Sequence, residues 1–279
     1  MKKLLSAFIA GLLLLLVFSS YAVGMMADKN FEQWEKHDKT STLVIDHAQF
    51  QDFIDRYVYR DPSGVNMVRY SAVTQEDKDK LKAYLTYLSK LPIAKYNQNE
   101  QLAYWTNLYN ALTVQLILAY YPVKSIREIN LNPNWIMRFI HPGPWEAPAI
   151  VIQETKLSLN DIEHRIVRPI WKNPLIHYGF NCAAYSCPNL QLTVFMGNNV
   201  YKQLEAGARS YINNARGVKI ENNALIVSSI YEWYQSDFGD TEASVLLHLE
   251  KYAAPALRKQ LGYFMMINKY EYDWTLNGN

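Results

Sequence analysis

Cysteine is scarce in this chain. Its 279 residues include only Cys182 and Cys187, five positions apart. No Cys-x-x-Cys pair exists, which argues against a thiol–disulfide exchanger of the usual spacing. Neither sign of charge prevails. Lys+Arg number 28 against 26 Asp+Glu, and Lys2 and Lys3 are the sole charges among the first 24 residues, so without that stretch the formal charge is zero. No basic stripe is present, which argues against a nucleic-acid partner. Beyond the first 24 residues no apolar run approaches the roughly 20 residues a membrane-spanning helix needs. Gly/Ser-rich linkers and internal repeats are also missing, so the simplest organisation is one domain.

The first residues set the expected compartment. Two lysines precede an apolar run, Leu4 to Phe18, broken only by Ser6 and Gly11. Small residues follow, and either Ala22-Val23-Gly24 or Ser20-Tyr21-Ala22 fits a cleavage site. This layout predicts a signal peptide over 1–24, with an uncleaved anchor as the alternative. No cysteine follows the run, so a lipoprotein anchor is excluded. The expectation is a periplasmic or secreted protein with no membrane span after cleavage, in an oxidising compartment where a disulfide can persist. Residues 25–42 read as a flexible lead-in, and 43–279 as a single globular domain.

Periodicity predicts an α+β fold: a helical majority with a buried central helix on a small antiparallel or mixed sheet. Helices are expected over His47–Tyr59, from Thr74 to about Leu91, Asn97–Tyr121, Ser158 to about Arg168, Asn199–Ala215, Ile230–Ser236 and Glu242–Lys251. The stretch from Asn97 is apolar almost all round, the mark of a buried helix. Ser158 and Asp161 have capping-box spacing. Strands are expected over Val65–Tyr70, Ala149–Gln153, Ile176–Asn181 and part of Met265–Leu276. A hairpin turning at Glu221–Ala224 joins two more. Asn132–Pro148, rich in Pro and Trp, reads as a long loop.

The segment IHYGFNCAAYSCP gathers most of the reactive chemistry: His177 with both cysteines. A thiolate is the nucleophilic form of cysteine, and a nearby imidazole favours it. Three arrangements remain open. The pair can close a disulfide; His177 can serve as base to a nucleophilic cysteine, Cys187 more readily than Cys182 if Ile176–Asn181 is a strand; or the three can ligate a metal, which lacks a fourth ligand. On the central helix, Asn107 and Asn110 share a face; they either satisfy backbone groups of neighbouring loops or let Asn107 orient an imidazole. Glu163 reads as a structural carboxylate and His164 as exposed. Trp233 and Asp237 read as packing with a cap, and His141 as a possible cleft residue.

The segments WTNLYNALTV, LSLNDIEHRIVR, IHYGFNCAAYSCPNL, YEWYQSDFG and YEYDWTLN occur in that order. Together they resemble domain-of-unknown-function family 547 across roughly Ile45 to Asn277, a family with a distant likeness to papain-like and transglutaminase-like thiol enzymes. In those enzymes the cysteine opens the central helix and precedes the histidine; here that helix carries Asn107, and His177 precedes both cysteines. The matching motifs give His177, Asn181, Cys182, Ser186, Cys187, Asp273 and Trp274. Asp273 could orient His177 as a third group does in thiol enzymes, or pair with Arg165 or Arg168.

Two functional expectations follow. The first is an exported cysteine-dependent hydrolase or acyl transferase acting on a peptide or small thiol peptide. Cys187 is its nucleophile, His177 its base, Asn107 or Asp273 the orienting group and Cys182 a supporting or resolving thiol. The second is a non-catalytic periplasmic binding module with a Cys182–Cys187 disulfide, which takes its ligand in the loop Asn132–Pro148. Neither requires a cofactor or metal. The sequence does not set the oligomeric state.

Overall fold

In the computed structural model every residue from Glu100 to Val114 is buried, which makes the helix Gln98–Tyr120 the axis of the fold. Such a helix has no solvent face, so its polar side chains must find protein partners. The structure describes residues 31–131 and 143–279. The expected signal peptide, His141 and most of the expected Asn132–Pro148 loop lie outside them. Contacts divide the chain into Met1–Gln33, of which only 31–33 are described, and a unit Trp34–Asn279. Trp34 is buried edge-to-face against Trp105 at 5.3 Å.

In chain order the elements are α1 (Ala48–Tyr57), β1 (Val58–Arg60), β2 (Asn66–Val68), α2 (Gln75–Ser89), α3 (Gln98–Tyr120), β3 (Pro148–Ile152), β4 (Thr155–Ser158) and a π-helix (Asp161–Val167) that runs into α4 (Arg168–Trp171). Then come a 3₁₀ turn (Pro174–Tyr178), α5 (Val200–Ile212), β5 (Val218–Glu221), β6 (Ala224–Ser228), α6 (Ile230–Trp233), a second 3₁₀ turn (Gln235–Phe238), α7 (Glu242–Tyr252), α8 (Pro255–Leu261) and β7 (Lys269–Glu271). Helix predominates over small sheets, the expected α+β class. β1–β2 and β3–β4 are antiparallel hairpins; β5–β6 is a third, and β7 joins β6 in parallel.

Local chemistry accounts for these boundaries. Thr74 and Asn97 start α2 and α3 by accepting from the Asp77 and Glu100 amides. Asn222 and Asn223, at φ 49° and 61°, form the tight β5–β6 turn, a backbone region asparagine tolerates. Ser158 and Asp161 exchange the two bonds of a capping box.

The expected strand Ile176–Asn181 does not form. Asn173 accepts from the Leu175 amide and Pro174 opens a 3₁₀ turn in its place. Each residue from Leu175 to Asn181 is buried, so the stretch carries no alternation to separate a strand from a buried turn. The expected late strand is confined to Lys269–Glu271, and α8 was not anticipated.

Two histidines are buried as neutral rings. The His47 ring meets the Tyr84 hydroxyl at 2.6 Å, and His248 Nε2 meets the Tyr178 hydroxyl at 2.8 Å. Burial lowers each from 6.5 to about 4; Asp46 opposes this at His47, and the charges of Lys251 and His177 add to it at His248. The unfolded chain therefore binds protons that the folded chain refuses as pH falls from 6.5 towards 4. Stability should be full above that window and decline through it, by roughly 2–3 kcal/mol per ring at most. Tm measured across pH 7.5 to 4.5 should show this slope, with a shallower one in His47→Gln.

Candidate active site

The two asparagines of α3 place the reactive segment. The Asn110 amide donates to the Gly179 carbonyl at 2.9 Å and accepts from the Asn181 amide at 2.9 Å. Asn107 does the same with Phe195, at 2.8 and 2.9 Å. Each amide acts as one peptide unit of a ladder, satisfying a buried loop that has no strand partner. Asn107 therefore takes the packing role of its two readings, and does not orient His177. Asp273 is exposed and accepts from the Thr275 amide and hydroxyl, which removes it as the orienting group.

The group that orients His177 is Asp237. The carboxylate can only accept, so Nε2–H donates to Asp237 Oδ2, at 2.7 Å. Tyr234 stacks on the ring at 4.4 Å and 17°. Nδ1 faces Glu163, with Oε1 at 3.9 Å. Asp237 also accepts from Arg168 Nε and Nη2, at 2.6 and 2.9 Å, while Nη1 donates to His164 Nδ1 at 3.2 Å. Burial alone would raise the Asp237 carboxyl, but His177 and Arg168 outweigh it and hold it well below the usual range. Arg168 thus pairs with Asp237, and Arg165 reaches Asp161 at 3.6 Å; neither pairs with Asp273.

Sequence reasoning missed this network for geometric reasons. On an ordinary helix Glu163 and His164 point about 100° apart. The wider π turns put both on the wall of one cavity. Asp237 does not continue the helix of Trp233; α6 ends and the 3₁₀ turn swings Asp237 towards Arg168. The one available signal was a buried-type histidine in a segment containing no acid.

The cysteine loop is held at both ends and from behind. Asn181 Nδ2 donates to the Pro188 carbonyl at 2.7 Å across its base. Arg216 and the Tyr211 hydroxyl donate to the carbonyls of Tyr185 and Ser186, at 2.8 and 2.6 Å. Ala183 sits at φ 60°, a left-handed conformation that costs a non-glycine residue on the order of 1 kcal/mol or more and that clusters at functional sites. The tail runs alongside, with the Tyr185 amide bonded to Thr275 and the Asn277 amide to Ala183.

Both thiols are free, with the sulfurs 3.0 Å apart. Cys182 is half-buried and its sulfur lies 3.2 Å from the Tyr272 hydroxyl. Cys187 is buried, and its sulfur accepts from the Cys182 amide at 2.9 Å. Hydrogen-bond contact with the Cys187 sulfur lowers the Cys182 thiol below its ordinary 9.0, aided by Tyr272 and the Ala184 amide, against burial and the charge of Glu163. Burial, then the neighbouring Cys182, pushes Cys187 well up. The two shifts run opposite ways, down at the half-buried Cys182 and up at the buried Cys187. No hydrogen bond joins His177 to either sulfur among the described residues; all three line one cavity of about 730 Å³. Aromatic rings dominate its walls, including Trp145, Trp233, Tyr272 and Trp274, which touch at 4.6–5.7 Å between centroids. Among the described residues no group of three or more His, Cys, Asp and Glu is arranged to hold a metal ion.

The Arg168–Asp237 pair is mostly shielded, with 23% of each side chain exposed. Replacing Asp237 by Asn leaves Arg168 without its countercharge and His177 without its acceptor. Denaturant unfolding of Asp237→Asn should show a loss of about 2 kcal/mol or more, below the 3–5 of a fully buried pair.

No curated protein and no solved structure matches this chain. Residues 93–212 match a family model, and that stretch contains Asn107, Asn110, Glu163, Arg168, His177 and both cysteines, while Asp237 and Tyr272 lie beyond it. That stretch belongs to the family described as Protein of unknown function, DUF547, the one the ordered motifs resemble.

Proposed function

We propose that this chain is an exported thiol enzyme of the acyl-transfer or hydrolase type, acting on a peptide or small thiol peptide, with Cys182 as nucleophile. The observation that carries the reading is a thiol with lowered pKa facing the same cavity as an aspartate-held imidazole. Export is supported by the layout of the first 24 residues. A peptide-like substrate is supported by the aromatic walls, which offer broad apolar faces to side chains.

The chemistry follows the roles the groups can take. Cys182 Sγ attacks the acyl carbon, and the carbonyl electron pair moves onto oxygen. Collapse expels the leaving group, which takes a proton through His177, and leaves a thioester on Cys182. Water or an acceptor amine or thiol then attacks the thioester carbon and gives up its proton to His177, and the C–S bond breaks to release the acyl product and the Cys182 thiolate. Asp237 holds the ring by Nε2, so Nδ1 is the nitrogen that exchanges protons on the cavity side. Glu163, buried with Oε1 3.9 Å from Nδ1, flanks that nitrogen on the cavity wall. The Tyr272 hydroxyl, 3.2 Å from Cys182 Sγ, steadies the thiolate between turnovers.

Iodoacetamide on the reduced full-length chain, read by peptide mass, tests this. Label should enter Cys182, with a rate–pH inflection below 9.0, and leave Cys187 unmodified. Turnover of a p-nitrophenyl ester should vanish in Cys182→Ser and fall by roughly 10²–10⁴ in His177→Gln. Two inert thiols, or label confined to Cys187, would sink the reading in favour of a binding module.

A further inference from the structure

We infer that Cys182 and Cys187 form a reversible oxidation site, at which a hydroperoxide oxidises Cys182 and Cys187 closes the disulfide. The inference rests on Cys182 being the reactive thiol, and does not depend on acyl transfer. Three observations lead to it. The sulfurs stand 3.0 Å apart in a loop fixed by Asn181, Arg216 and Tyr211. A disulfide needs about 2.05 Å, so closure asks the sulfurs to approach by about 1 Å. The two thiols also differ in access: both line the cavity, but Cys182 is half-buried while Cys187 is 4% exposed. An oxidant from solvent therefore meets Cys182 first. Finally, each sulfur has a donor suited to its turn in the sequence: the Tyr272 hydroxyl at Cys182 and the Cys182 amide at Cys187.

The steps balance. The Cys182 thiolate attacks one peroxide oxygen and the O–O bond breaks. The departing alkoxide or hydroxide takes a proton, leaving a sulfenic acid and an alcohol or water. Cys187 then loses its proton, its sulfur attacks the Cys182 sulfur, and the S–O bond breaks. The hydroxide leaves as water with that proton. Two thiols and one hydroperoxide become one disulfide, one alcohol and one water; a dithiol reverses the change. With the charge on Cys182 removed by oxidation, Cys187 no longer faces a neighbouring thiolate, and the Cys182 amide is in place to stabilise its own. The disulfide ties up the nucleophile, so the same site is silenced by peroxide and restored by reduction.

The test uses the reduced full-length chain with equimolar hydrogen peroxide, followed by intact mass. The wild type should lose two hydrogens, about tenfold faster than the same chain unfolded in guanidinium. Cys187→Ser should gain oxygen without losing hydrogens, and Cys182→Ser should do neither over the same interval. A wild type that only gains oxygen, one that closes no faster than the unfolded chain, or a Cys182→Ser chain oxidised as fast as wild type would overturn the inference. The acyl reading is scored separately, by acylation of Cys182 in the reduced chain with a p-nitrophenyl ester. No acyl adduct together with rapid disulfide closure would leave this inference standing and the hydrolase reading without support.

Discussion

The pair of hydrogen bonds between Asn110 and the backbone of Gly179 and Asn181 is the constraint on which the site depends. The segment Leu175–Asn181 is buried but belongs to no sheet, so its peptide groups would be orphaned without a side chain that both donates and accepts. Asn110 provides both from inside α3. It fixes the chain between His177 and Cys182 to the buried central helix. Asn181 then passes the constraint on, bonding Pro188 and the Ala183 amide and so shaping the turn that brings the sulfurs together.

Around that anchor the fold assembles charge in an apolar setting. His177 lies between Asp237 and Glu163, and one guanidinium, Arg168, binds the first of these. Burial penalises every charge here, so the group that keeps its charge is the one with most donors. Asp237, with three charge-assisted bonds from Arg168 and His177, is that group. The cysteines follow the same logic. Between two sulfurs in contact, the thiol beside the Tyr272 hydroxyl is shifted down and the more buried one up.

Much of the scaffold was legible in the residues. Thr74 and Asn97 mark helix starts by their ability to accept from the amide three positions on, and α3 declares its burial by apolar residues on every face. Asn222-Asn223 marks a hairpin, and Ser158 with Asp161 a capping box. The site was legible in part: His177 and both cysteines do share a cavity. Their partners were not. Asp237 is 60 positions from His177, and its approach depends on a helix ending at Trp233; no local pattern encodes that. Glu163 turns inward through a π-helix whose sequence, DIEHRIV, reads as an ordinary helix margin.

The sequence by itself determined the helical majority, the central buried helix and the clustering of cysteines beside one histidine, because these depend on periodicity, capping and short spacings that act within a few residues. Only the tertiary structure decided which thiol is exposed, which carboxylate orients the imidazole and which asparagine merely packs. Those outcomes depend on relative burial and on hydrogen bonds between residues far apart in the chain, and both arise only when the chain folds back on itself.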